Sequence, residues 1–200
     1  IITAFLIGFG FAQLVHGPLA DRFGRRTVLL CALAGYVVAN ILAAMSTSFA
    51  MLLVARVIGG AMIAASRVAT VALVRDCYHG RAMARVMSIA FMVFMVVPVL
   101  APTFGQTVLL FTEWRGIFWT IAGVTAAVFV WFYIRMPETL RPDDALPLSL
   151  ARITRGWRIA LTDRFSIGYT MATAMLMGAL YGYLNSVQQI MYDTFDRPKA

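Results

Sequence analysis

Six long apolar stretches, separated by short polar gaps, run through the chain. Their hydrophobic residues do not alternate with polar ones, which favours continuous helices over short amphipathic strands. Each stretch is close to or above the roughly 20 residues that a helix needs to cross a bilayer. The predicted spans are Ile1–Ala20, Thr27–Met45, Phe49–Val74, Ala84–Leu110, Gly116–Met136 and Ser166–Met191. The pattern therefore predicts an all-α, polytopic transmembrane helical bundle.

Composition excludes the common soluble classes. Hydrophobic residues make up 61% of the chain and charged residues 13%, whereas soluble domains hold about 45–50% and about 25%. A soluble fold of 200 residues could not bury so much apolar side chain, and a disordered chain would carry more charge. We therefore expect the lipid bilayer to surround most of the helices.

The positions of the charges predict an orientation. The net charge of +8 comes from 17 basic and 9 acidic residues, a balance that can indicate nucleic acid binding. Here, however, the arginines lie in short gaps between apolar stretches, so we expect no nucleic acid partner. They concentrate in the gaps after the first, third and fifth spans. Because cytoplasmic loops are rich in Lys and Arg, these gaps are predicted to be cytoplasmic, and the first span runs inward.

The longest gap, residues 137–165, is the natural domain boundary. Its first part contains three prolines, which resist a continuous helix. Its second part repeats apolar residues at helical spacing with arginines between them, as in a basic amphipathic helix on a membrane surface. The predicted division is a bundle of spans over residues 1–136, a cytoplasmic linker over residues 137–165, and the start of a second bundle over residues 166–200.

The first cytoplasmic gap carries the most specific motif. Its sequence, GPLADRFGRR over Gly17–Arg26, resembles the cytoplasmic motif of the major facilitator superfamily, which joins the second and third of twelve spans. EWRGIF at Glu113–Phe118 and ETL at Glu138–Leu140 resemble the sequences before and after the family's sixth span. The resemblance thus covers the whole chain as spans two to seven and implies a partial major facilitator fold. Span one and spans eight to twelve would then lie outside these residues.

The charges of this motif predict a gating latch. Two glycines allow a sharp turn, Asp21 is placed to sit on a nearby helix N-terminus, and Arg25 can form a forked pair with a second acid. Asp76, at the cytoplasmic end of the third predicted span, is the available partner. The alternative is that these charges are solvated and only set the topology. The predicted latch residues are Gly17, Asp21, Arg22, Gly24, Arg25, Arg26 and Asp76.

Two arginines lie inside the third predicted span. Arg56 begins RVIGGAM, which resembles the family's span-four motif, although Gly59 stands where a Gln is usual. Arg67 follows eleven residues later, about 16 Å along the helix axis and on the same side. An arginine within a span costs at least about 2.5 kcal/mol and usually faces a cavity or a partner. One interpretation is coupling to substrate or proton state, and the other is snorkelling toward an interface.

The fourth predicted span resembles the segment that marks antiporters in the superfamily. Its sequence PVLAPTFGQ, Pro98–Gln106, resembles the bicyclomycin and chloramphenicol resistance branch, with Ala and Gln at two usual glycine positions. A proline frees a carbonyl and kinks a helix. The kink either helps one end of the transporter close or is only structural. The predicted kink residues are Pro98, Ala101, Pro102 and Gly105.

Polar and small residues indicate further contacts within the bundle. Ala4, Gly8 and Ala12 recur at spacing four, which predicts close helix packing, whether rigid or sliding. On the last span, polar side chains could line a cavity or bond neighbouring helices. These candidate lining residues are Tyr181, Asn185, Gln188 and Gln189.

The resemblance implies a secondary transporter of the drug:proton antiporter type in a bacterial inner membrane, moving small drug-like compounds outward. Protons rather than ATP would be its energy source, since no phosphate-binding Gly-rich loop is present, and no cofactor is expected. No acid lies deep in a predicted span, so the proton carrier is expected outside these residues. The alternatives are an uptake symporter for a metabolite or anion, and a membrane enzyme. An enzyme is not expected, because no nucleophile, base or metal cluster lies at membrane depth.

Overall fold

The computed structural model describes residues 1–138 and 149–195. Residues 139–148, in the first part of the predicted linker, lie outside the described residues. So do several side chains within helices, including five that the sequence assigned to the antiporter segment and to cavity lining. These five are Pro98, Tyr181, Asn185, Gln188 and Gln189.

Every regular element in the described ranges is an α-helix, which confirms the predicted all-α class. Four helices, α1, α2, α3 and α5, are long and apolar enough to cross a membrane. The fourth predicted span lies in α4 except for its last residue, Leu110, and the sixth lies within α7. The helices are α1 (Ile2–Phe23), α2 (Arg25–Ala44), α3 (Phe49–Cys77), α4 (Gly80–Leu109), α5 (Trp114–Arg135), α6 (Leu150–Thr162) and α7 (Arg164–Phe195).

The helices fall into two compact units, Ile1–Leu148 and Ser149–Ala200. In the first unit α3 is central and packs mainly against α1 and α2, while α2 also packs against α5. Leu29 and Leu33 of α2 form a buried cluster with Ala69 of α3, and aromatic side chains of α5 cover it. α4 packs more lightly, and none of its described side chains is buried.

Glycine allows α1 and α3 to approach almost to backbone contact. A Cβ built on Gly8 would collide with the carbonyl of Val57, and one on Gly60 would collide with the carbonyl of Phe5. The two contacts are reciprocal, one glycine coming from each helix. In lipid, helices associate by close packing rather than by the hydrophobic effect, so this contact holds α1 on α3.

The second unit consists of α6 and α7, which contact each other. Ile153, Trp157 and Leu161 recur at spacing four on α6, so they share one side of it. Asp163 separates the two helices and its Oδ2 accepts the Ser166 N–H at 2.7 Å. That bond caps the first turn of α7.

Candidate gating site and membrane arginines

A single residue, Gly24, separates α1 from α2. Its φ of 93° lies in a region that glycine adopts far more easily than any other residue. The Gly24 N–H donates to the Ala20 carbonyl at 3.2 Å, which ends α1. The Gly24 carbonyl accepts from the Val28 N–H at 3.1 Å, which begins α2. The motif GPLADRFGRR, which was predicted to form the gap after the first span, is therefore almost entirely helical. The chain reverses direction at Gly24 alone.

This sharp reversal brings the first turn of α2 to the end of α3. Arg25 Nε lies 3.0 Å from Asp76 Oδ2, and Arg25 Nη2 lies 3.4 Å from Asp21 Oδ1. The Arg25 side chain is only 13% exposed, against 29% for Asp76 and 45% for Asp21. The ion pair to Asp76 is thus the shorter and better shielded of the two. It joins the start of α2 to the end of α3 through two residues that are 51 positions apart in the chain.

Two other residues that were predicted to belong to the latch, Gly17 and Arg22, take no part in these ion pairs. Gly17 is half-buried, and a Cβ there would lie 3.9 Å from Val68 Cγ1, an ordinary contact. Arg22 is exposed near the end of α1. The structure therefore gives neither Gly17 nor Arg22 an ion pair in the cluster, and Gly17 has room for a side-chain carbon.

The end of α5 also reaches the α1–α2 turn, which the sequence did not predict. Arg26 Nη2 donates to the Tyr133 carbonyl at 2.8 Å, and its guanidinium lies 5.3 Å from the Tyr133 ring centre. The Glu138 carboxylate accepts the N–H groups of Arg26 and Thr27, each at 3.4 Å. The signal available in the sequence was a carboxylate just after the fifth predicted span, on the predicted cytoplasmic side, where the second span begins. A negative charge there interacts favourably with a helix N-terminus.

A second unpredicted contact lies at the opposite end of α5. Arg115 Nη2 donates to the Ser46 carbonyl at 3.0 Å and stacks 4.5 Å from the Trp114 ring centre. Ser46 belongs to the turn between α2 and α3 and is buried. α5 is therefore tied to the turns at both ends of α2.

Arg56 lies between aromatic rings from two neighbouring helices. Its guanidinium is 4.5 Å from the ring centre of Phe5 on α1 and 5.6 Å from that of Phe118 on α5. Tyr36 of α2 also interacts with it. A Cβ on Gly59 would lie 3.6 Å from that tyrosine ring, which is an ordinary contact. The half-buried cation is thus held by π faces and a phenol, which suits a charge inside a span.

Arg67 has a different environment. It is exposed, and its guanidinium lies 5.6 Å from the ring centre of Phe94 on α4. Among the described residues, no carboxylate forms an ion pair with Arg56 or Arg67. The two arginines therefore contact different helices, although their spacing places them on the same side of α3.

The predicted kink segment lies within a helix. α4 runs from Gly80 to Leu109 through Pro98, Ala101, Pro102 and Gly105, and Ala101 and Pro102 are exposed. A Cβ on Gly105 would have no neighbour within 4 Å. Neither proline thus ends the helix. In the described part of the chain, no group of three or more His, Cys, Asp or Glu side chains could hold a metal.

Comparisons with known proteins agree with these features. Residues 1–195 match the Major Facilitator Superfamily. A bicyclomycin resistance protein homolog of Haemophilus influenzae is 32% identical over 190 residues, which is 92% of this chain and 46% of that protein. The multidrug resistance protein MdtL of Klebsiella pneumoniae is 29% identical over 200 residues, 98% of this chain and 50% of that protein. The chain thus spans about half the length of these relatives.

A solved structure shares the fold. The crystal structure of the human organic anion transporter MFSD10 (TETRAN) superposes with a TM-score of 0.61 and 27% identity. The match covers 74% of this chain and 36% of that one. The family predicted from GPLADRFGRR is confirmed, and the names of the bacterial relatives agree with the drug:proton antiporter branch. The chain belongs to the major facilitator superfamily.

Proposed function

We propose that the chain is part of a proton-driven exporter of small drug-like compounds in a bacterial inner membrane. The single observation that carries the proposal is the shielded Arg25–Asp76 ion pair, which joins two helices at the end of the bundle predicted to be cytoplasmic. The bacterial relatives named for bicyclomycin and multidrug resistance support the substrate class. Members of this superfamily are transporters, so no enzyme activity is proposed.

Transport would follow from two bundles rocking about a central cavity. Residues 1–136 would belong to the first bundle, residues 137–165 to the linker, and residues 166–200 to the second bundle. With Arg25 paired to Asp76 and Asp21, the ends of α1, α2 and α3 are held together within the first bundle, in the arrangement that we propose stabilises the outward-facing state. Opening toward the cytoplasm would require this cluster to rearrange.

Arg56 is the proposed coupling residue of the cavity. Its contacts with Phe5, Phe118 and Tyr36 come from three other helices, so a shift of α1 or α5 would change the surroundings of one half-buried charge. The acids whose side chains the structure describes, by contrast, lie at or near helix ends: Asp21, Asp76, Glu113, Glu138 and Asp163. The proton carrier is therefore proposed to lie elsewhere in the transporter, and no cofactor is proposed.

A second candidate is transport of an organic anion, inward or outward. Arg56 and Arg67 add two positive charges to α3 without a paired carboxylate in the part of the chain that the structure describes. The similar human structure is named an organic anion transporter. An anionic substrate would then supply the missing negative charge.

Inverted membrane vesicles containing the full-length transporter separate these candidates. An acidic lumen should drive accumulation of radiolabelled chloramphenicol, and a protonophore should abolish it, while removal of ATP should not. Accumulation only in right-side-out vesicles would identify an uptake symporter instead. Accumulation of benzenesulfonate but not of chloramphenicol would favour the anion transporter.

A further inference from the structure

We propose that Glu138 is a positioning residue of the gate, because its carboxylate caps the N-terminus of α2 from the far end of the α5 segment. The inference rests on the proposed function, since a gate at Arg25 matters only if the chain transports. It adds a second contact on the same turn, which Glu138 makes with backbone N–H groups. Along the chain, Glu138 lies 112 residues from Arg26 and 111 residues from Thr27.

α2 needs such a cap because its own N-cap residue cannot supply one. The first N–H groups of a helix lack intrahelical partners, and a side-chain oxygen at the N-cap usually accepts one of them. Gly24 has no side chain, and no side-chain cap bond forms from it. Glu138 Oε1 accepts from Arg26 N–H and Oε2 from Thr27 N–H, each at 3.4 Å. Each carboxylate oxygen thus accepts from one of two neighbouring backbone amides.

Gly24 also leaves the space in which that carboxylate sits. A Cβ built on Gly24 would collide with both the Cδ and an oxygen of Glu138. The residue therefore meets two requirements at once, a φ of 93° and open space on the side that faces α5. Any larger residue would displace Glu138 as well as strain the turn.

The cap fixes the residue that forms the ion pair. Arg25 lies one position before Arg26 and two before Thr27, so the amides bound by Glu138 belong to the same helical turn. A negative charge at this position also interacts favourably with the helix dipole. When the carboxylate holds this turn, the Arg25 guanidinium is presented toward Asp76. Loss of the cap should let the turn fray and weaken the ion pair without removing either of its charges.

Hydrogen exchange of the purified full-length transporter tests the cap directly. In Glu138→Ala, amides at the start of α2 should exchange several-fold faster, while Glu138→Gln should retain part of the protection through its remaining oxygen. Asp163→Ala is the matched control. It removes the cap of α7, a bond from Ser166 N–H at 2.7 Å, and should speed exchange there and leave α2 unchanged.

Efflux of chloramphenicol by the same variants tests the positioning role. Glu138→Ala should lower the efflux rate several-fold, and adding it to Asp76→Asn should lower the rate little further, because the cap acts through the ion pair that Asp76→Asn has already removed. Unchanged exchange at the start of α2 would overturn the cap, and faster exchange with full efflux would overturn its role in gating. A wild-type protein that exports nothing would instead contradict the proposed function, and the exchange result would still stand.

Discussion

Arg25 Nε lies 3.0 Å from Asp76 Oδ2, so an ion pair with a largely buried arginine joins the first turn of α2 to the last turn of α3. Asp21, by contrast, is 45% exposed and lies 3.4 Å from the same guanidinium. Solvent and salt screen an exposed pair more strongly than a shielded one. The two carboxylates should therefore contribute unequally to a gate.

Asp76→Asn should lower efflux more than Asp21→Asn does. Loss of a partly exposed ion pair is worth up to about 1 kcal/mol, which predicts a decrease of up to about fivefold for Asp76→Asn. The measurement is the chloramphenicol efflux rate at matched protein level, with Arg81→Gln as an exposed control. Equal efflux by all variants would indicate that these charges only set the topology.

Arg56→Ala should reduce transport to background, whereas Arg67→Ala should cost less. Arg56 contacts two rings and a phenol from three helices, but Arg67 is exposed and contacts one ring. An exposed cation–π contact is worth about 0.5–1 kcal/mol, or about twofold to fivefold in rate. Resistance to chloramphenicol in growing cells is the readout. Normal resistance with Arg56→Ala would leave snorkelling as the better interpretation.

The sequence predicted the helices well because their signal is local. Long apolar stretches predicted helices in the right places, and the Asp and Arg residues of GPLADRFGRR indicated a charge cluster. The contact of Arg25 with Asp76 followed from opposite charges at span ends that orientation places on one side. Its role as a latch stays a prediction.

Other contacts were beyond sequence reasoning because their partners are not complementary side chains. Glu138 binds backbone N–H groups, and Arg26 binds the carbonyl of Tyr133. Every residue carries such groups, so the sequence does not mark which ones meet. The rings around Arg56 depend on how α1 and α5 cross α3, and a helical repeat in one segment does not determine crossing geometry.

Orientation can be tested by labelling cysteines from outside intact cells. Both native cysteines, Cys31 and Cys77, are free and exposed, so Cys31→Ala and Cys77→Ser provide the background. A membrane-impermeant maleimide should then label Glu113→Cys, at the predicted external end of α5. It should label Arg22→Cys and Arg81→Cys only after the cells are opened. Labelling of those two from outside would reverse the predicted topology.

Gly8→Ala should destabilise the protein, whereas Gly10→Ala on the same helix should not. A Cβ on Gly8 collides with the Val57 carbonyl, but one on Gly10 meets nothing within 4 Å. Backbone cannot move aside as a flexible side chain can, so α1 must separate from α3, at a cost of about 1–3 kcal/mol. Alanine is the better helix former, so Gly10→Ala should be neutral or slightly stabilising. The thermal unfolding midpoint in detergent, compared between the two variants, gives the result. A midpoint for Gly8→Ala equal to that of Gly10→Ala would mean that α1 and α3 are not packed at backbone contact.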